Sequence, residues 1–320
     1  MSKKVKIWLA VALSLVLIGG LIFVVSMTAL KWDFSALSFS KYQTNTYEIS
    51  EEFSSILIDI DTADIEFKPS NDGKATVVCY EQENLSHSVL VKSGALTIEV
   101  LDTREWYEHI NIVFNSPKIT INIPQKAYDL LKINTDTSDV SIPKEFAFAS
   151  VEIKGDTGDI FVASTVSNDL KIEVDTGDVW VDNISAKTVE LETTTGDISV
   201  KKVNCDNLFV TVTTGDISVE KVNCDKLTST GDTGDIKLID VIIVGALNIE
   251  RSTGDVTLDG VDAGTITIVT DTGDVEGTIL SGKVFDVDSD TGKKIVPLST
   301  AGGLCKITTD TGDIIIAIKK

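Results

Sequence analysis

"TTGDISVKKVNCDNL" spans residues 194–208, and "TTGDISVEKVNCDKL" spans residues 213–227. The two agree at 13 of 15 positions. A unit near 20 residues long cannot bury an apolar face by itself, but it can by stacking on copies of itself. The residue after the motif threonine marks each copy. It falls at Ser138, Gly158, Gly177, Gly196, Gly215, Gly234, Gly254, Gly273, Gly292 and Gly312, at intervals of 19 or 20.

The apolar positions keep the same phase. Seven residues before the marker lie Leu131, Val151, Leu170, Val189, Leu208, Leu227, Leu247, Ile266, Phe285 and Cys305. Each unit reads approximately L-x-I-x-x-D-T-G-D-I-x-V, two short alternating segments around a turn. Alternation with period two is a strand signal. Separate hairpins would not hold the same residue types at the same phase in every unit, whereas equivalent strands stacked in parallel would. A leucine-rich repeat needs L-x-x-L-x-L-x-x-N, which is absent. The expected fold is all-β: a parallel β-helix, or solenoid, of about ten coils. At about 4.8 Å per coil it would rise roughly 48 Å. Right-handed winding is the default for parallel crossovers.

Around this repeat domain (128–320) the chain changes character. Residues 54–127 keep only one early unit, "ILIDIDTADIEF" at 56–67, with Ala63 at the marker. Strand-like runs follow at 75–81, 89–92, 95–101, 110–114 and 118–123. An irregular cap is expected here, because a solenoid end exposes apolar faces and unpaired backbone. The terminal Lys319 and Lys320 read as an edge guard. Residues 31–53 read as a juxtamembrane linker. Residues 1–30 carry Lys3, Lys4 and Lys6 before an uncharged run, Ile7–Leu30. Its 24 residues exceed the roughly 20 needed to cross a bilayer. An uncleaved anchor is expected, with a cleaved signal peptide as the alternative. No cysteine ends the run, which argues against a lipoprotein. The lysines favour a cytoplasmic N-terminus and an extracytoplasmic remainder.

The net charge of −21 excludes nucleic acid as a natural partner, because that needs a cationic patch. The repeated aspartates contribute much of this charge. Asp159, Asp178, Asp197, Asp216, Asp235, Asp255 and Asp274 would form one column, and neighbouring carboxylates about 5 Å apart repel by about 1 kcal/mol in water. Each Asp is expected to offset this by bonding a backbone N–H in its own turn. A calcium column is the sharper alternative. The turn glycines suit a positive φ or a site too crowded for a Cβ.

Of the four cysteines, Cys205 and Cys224 share a small-residue position in adjacent coils, within disulfide range, as stacked thiols or a bond. Cys305 sits in a core row, and Cys79 has no evident partner. The spacings fit no zinc pattern. Two histidines, His87 and His109, two arginines and no nucleophile or phosphate-loop motif give no catalytic signature, so no enzyme and no cofactor are expected. A specific site is expected where the pattern breaks, at Trp106 and His109 or at Lys293 and Lys294.

Three features carry a family resemblance: the anchor followed by "KWDFSALSFSKYQTNTYEISEEFSSILIDIDTADIEFKPSNDG" (31–73), "KITINIPQK" (118–126), and the T-G-D-I/V series from Thr137. With these the chain resembles the bacterial putative-adhesin family, a domain of unknown function that includes LiaG-like membrane proteins. The resemblance implies a surface-anchored β-solenoid without a known catalytic site, meeting an envelope protein or a glycan. The alternatives are an envelope-stress sensor or regulatory partner, and a polysaccharide-acting β-helix enzyme.

Overall fold

The computed structural model describes residues 2–32, 41–104 and 116–319. Trp106, His109 and the run at 110–114 lie outside them. Helix α1 covers Lys3–Ala29, and among the described residues all other regular structure is β. The strands form a parallel β-solenoid of about nine turns.

The register follows the sequence phase. Leu170 pairs with Val189, Val189 with Leu208 and Leu208 with Leu227, and each is at most 1% exposed. After the turn, Val179, Ile198, Ile217 and Ile236 stack in the same way. The interior is thus a set of apolar ladders, one residue per coil.

The turn explains the glycine. Gly177, Gly196 and Gly215 have φ of 149°, 141° and 145°. A Cβ at Gly215 would fall 2.0 Å from the carbonyl oxygen of Gly196, in the coil below. Ser138 is outside this constraint because it does not adopt the positive φ of the glycines. Its Oγ turns inward and accepts the Ala63 N–H at 3.2 Å.

The first coil is β2 (Ser55–Thr62) and β3 (Asp64–Pro69), after β1 (Tyr42–Ile49). Then come β4 (Ala75–Gln82), β5 (Leu85–Lys92), β6 (Ala95–Asp102) and β7 (Lys118–Ile123). Strand β1 lies inside the stretch read as a linker. Its alternating Tyr, Thr and Ile pair antiparallel with β4, covering that strand's free edge. Strand β5 starts four residues earlier than the run at 89–92, because the Glu83–Asn84 turn already reverses the chain.

The coils do not stack in simple chain order at either end. At the N-terminal end, β6 and β7 lie outside β2 and β3, while Ala127–Thr137 stacks on the inner side of β2. At the C-terminal end, Leu304–Thr311 lies between Val256–Thr272 and Val284–Ser289. Likewise Ile314–Ile318 lies between Val275–Ile279 and Lys294–Ile295. The last coil is therefore inserted inside the one that precedes it. The physical reason is in the residues. The unit around Gly292 puts Lys294 where other units put Val or Ile, so it suits the outermost position. The unit around Gly312 has Ile314 and Ile316 there, buried at 0% and 3%. Lys319 reaches back to Asp259 at 3.0 Å and Asp240 at 3.9 Å, tying the terminus across two coils.

Candidate functional site

The Asp column is real in space and differently bonded from the expectation. The N–H of Asp178 donates to Oδ1 of Asp159 at 2.9 Å, Asp197 to Asp178 at 2.8 Å, Asp216 to Asp197 at 2.8 Å and Asp235 to Asp216 at 2.8 Å. The series continues through Asp255 and Asp274 to Asp313, and ends with the Lys293 N–H on Asp313 at 2.8 Å. Each carboxylate therefore serves the adjacent coil, not its own turn. Charge-assisted bonds to backbone N–H groups stabilise the anions and offset their mutual repulsion. One oxygen of each Asp remains outside this ladder.

Two positions past each Asp lies an outward row. In it Phe161 pairs with Trp180, and both are more than one-third exposed. A shallow groove of about 430 Å³ runs between this row and the aspartates, lined by Asp178, Trp180, Asp197, Ser199, Asp216 and Ser218 among others. The aspartates and Trp180 are placed together because both follow the turn glycine, at its first and third positions, with buried Val179 between them. Lys293 and Lys294 lie at the far, C-terminal end and bond Asp313 and Asp288.

Cys205 and Cys224 are register partners and free thiols. The hydrogen bond that the Cys205 thiol makes to Cys224, and then burial, push its pKa far upward, so it is a poor nucleophile. Cys305 is buried in its core row, its thiol pushed up to about 11 by burial.

A second cluster escaped the sequence reading. Cys79, Glu81 and His87 are at most 4% exposed, and their ligand atoms lie within 4.8 Å of one another. Alternation along β4 puts Cys79 and Glu81 on the same inward face, and the hairpin returns His87 on β5 beside them. Glu81 Oε2 meets His87 Nδ1 at 2.6 Å and accepts the His87 N–H at 2.8 Å. Asn45 Nδ2 donates to Glu81 Oε1, and Tyr47 OH to the His87 carbonyl at 2.9 Å. Burial pushes the Cys79 thiol up to about 12. The spacing C-x-E-x5-H matches no zinc pattern, and only the strand alternation and the hairpin turn could have signalled the cluster.

The 27-residue N-terminal helix is uncharged from Ile7 onward and long enough, by length and composition, to cross a membrane. At 1.5 Å per residue it spans about 40 Å, against about 30 Å of hydrocarbon. A segment of this kind serves as a span or as an export signal.

Coils, turn ladder and anchor-like helix define a repeat protein of the β-solenoid class. The Toastrack DUF4097 family model matches residues 53–239 and 206–320, and the chain belongs to that family. Solved structures with similar chains include a putative adhesin from Bacteroides fragilis, 15% identical, covering 87% of this chain and 97% of that one, TM-score 0.41. A putative lipid binding protein from Parabacteroides distasonis is 14% identical over 88% and 98%, TM-score 0.46. A putative adhesin from Parabacteroides merdae is 11% identical over 84% and 96%, TM-score 0.40. A comparison with curated proteins finds no match.

Proposed function

We propose that the protein is a non-catalytic, membrane-anchored scaffold that holds its solenoid outside the cytoplasm and binds an envelope glycan along the turn groove. The apolar helix and its preceding lysines support the tether and its orientation. One observation carries the ligand class: Trp180 and Phe161 stand exposed beside an unbroken row of carboxylates and the hydroxyls of Ser199 and Ser218. Exposed aromatics stack on sugar rings, and carboxylates and hydroxyls accept and donate to sugar hydroxyls. The coil spacing of about 4.8 Å is close to the length of one pyranose along an extended glycan. The acidic row repels polyanionic chains and suits neutral or amine-bearing ones.

The full chain in nanodiscs, offered neutral and amino-sugar polysaccharides, is expected to bind without releasing reducing ends. Trp180→Ala is expected to weaken binding at least tenfold. Equal binding by that variant, or a preference for anionic glycans, overturns the groove reading. Turnover of the glycan overturns the non-catalytic one.

A further inference from the structure

We propose that Cys79, Glu81 and His87 form a zinc(II) site in the N-terminal cap. Their residue types are those zinc prefers: a thiolate, an imidazole nitrogen and a carboxylate oxygen. All three side chains are held inside the sheet, with the donor atoms already gathered within 4.8 Å. Cys79 shares the apolar core with Val77, Leu96, Ile98, Ile119 and Ile121, all fully buried. Glu81 is the one fully buried carboxylate among the described residues.

Charge balance favours the assignment. A dication held by one thiolate, one carboxylate and one neutral imidazole gives a neutral buried unit. Taking up zinc releases the Cys79 thiol proton, and the imidazole keeps its one ring proton on Nε2 while Nδ1 turns its lone pair to the metal. No oxidant or other co-reactant is needed. Affinity therefore falls as pH falls.

Geometry asks for a small movement. Two zinc bonds of about 2.0 Å at a tetrahedral angle separate their nitrogen and oxygen by about 3.3 Å. Glu81 Oε2 and His87 Nδ1 stand 2.6 Å apart, with a proton between them. The metal needs them to part by well under 1 Å. A supporting shell is in place. Asn45 engages the other oxygen of Glu81, while Oε2 accepts the His87 N–H and keeps its second lone pair for the ion. Tyr47 fixes the His87 backbone. Such partners orient ligands and raise affinity. Three protein ligands leave a fourth position for water.

The test uses the full chain carrying Cys205→Ser and Cys224→Ser, which removes the other close thiol pair. Cobalt(II), as a spectroscopic stand-in for zinc, is expected to bind once per chain with a near-ultraviolet sulfur-to-metal band. Zinc should displace it. Adding Cys79→Ser should abolish the band, and Asn45→Ala should weaken binding by about tenfold. A band that survives Cys79→Ser, or no binding by the folded protein, overturns the proposal. X-ray absorption on the zinc-loaded unmutated chain covers variants that fail to fold. One sulfur among nitrogen and oxygen ligands is expected, and two sulfurs or none would refute it.

Discussion

Replacing Gly215 by alanine should damage the solenoid far more than replacing a loop glycine. The new Cβ would sit 2.0 Å from the Gly196 oxygen and 2.6 Å from its carbon, where real Cβ atoms stay beyond 3.0 Å. The neighbour is backbone, so two coils must part by about 1 Å. That movement strains the bond from the Gly196 N–H to Thr214 O (3.0 Å) and the bond from the Asp216 N–H to Asp197 (2.8 Å). Losing them costs about 1 kcal/mol for the neutral bond and about 1.5–3 for the charged one. The φ of 145° adds about 1–3 kcal/mol for a side chain. The total is about 3.5–7 kcal/mol. Gly73 has φ of 75° and nothing within 4 Å of an added Cβ, so alanine there costs about 1–2 kcal/mol. Urea unfolding of both variants, followed by circular dichroism in detergent, measures the contrast. Similar midpoints for the two variants would refute the close-approach argument.

Other outcomes follow from buried and charged groups. Arg251 is 2% exposed, its Nη1 donates to Val212 O at 2.9 Å, and its Nε and Nη2 have no partner. Burial outweighs the more distant attraction of Asp216, Asp232 and Asp235, and a buried cation without a direct partner is costly, so Arg251→Met should raise Tm by a few degrees, at about 2–4 °C per kcal/mol; a large fall would mean that those carboxylates compensate it. Ion pairing and hydrogen bonds from lysines hold Glu66, Glu173, Glu220 and Asp259 below the ordinary carboxylate range, Glu220 at about 2. Their folded pKa values lie below the unfolded ones, so their contribution is full above about pH 4.5 and is lost as pH falls toward 2. A Tm that stays flat across that window would contradict the pairing. Because the Asp column is satisfied by backbone N–H groups, the calcium chelator EGTA should leave Tm unchanged; a drop of several degrees would establish a calcium column instead.

The repeat was legible because each coil places its residues at the same phase, so ladder, turn and core row read directly from Leu208, Gly215, Asp216 and Ile217. The end coils were not. Chain order says nothing about which of two successive coils takes the outer slot, although Lys294 in a core row was the clue. Strand β1 was obscured because only one face of "YQTNTYEI" meets the sheet. The Trp180 groove lies between two rows that follow the same turn, two residues apart, and single rows do not show it. The Cys79 cluster joins residues that only a hairpin brings together. The direction of the Asp bonds was misjudged because coil-to-coil distance, not the turn itself, decides the nearest N–H.

The repeat is architecture built coil on coil, with the last coil inserted inside its predecessor. Paired cysteines test it directly, in a chain whose native cysteines are replaced. Thr267 and Lys306 are register partners, and Lys306 in turn pairs with Asp286. Thr267→Cys with Lys306→Cys should form a disulfide on mild oxidation, since neighbours at about 4.8 Å lie within the bonding range. Thr267→Cys with Asp286→Cys should not, being about two coil spacings apart. Cross-linking of the second pair and not the first would mean that the coils stack in chain order, and would contradict the account.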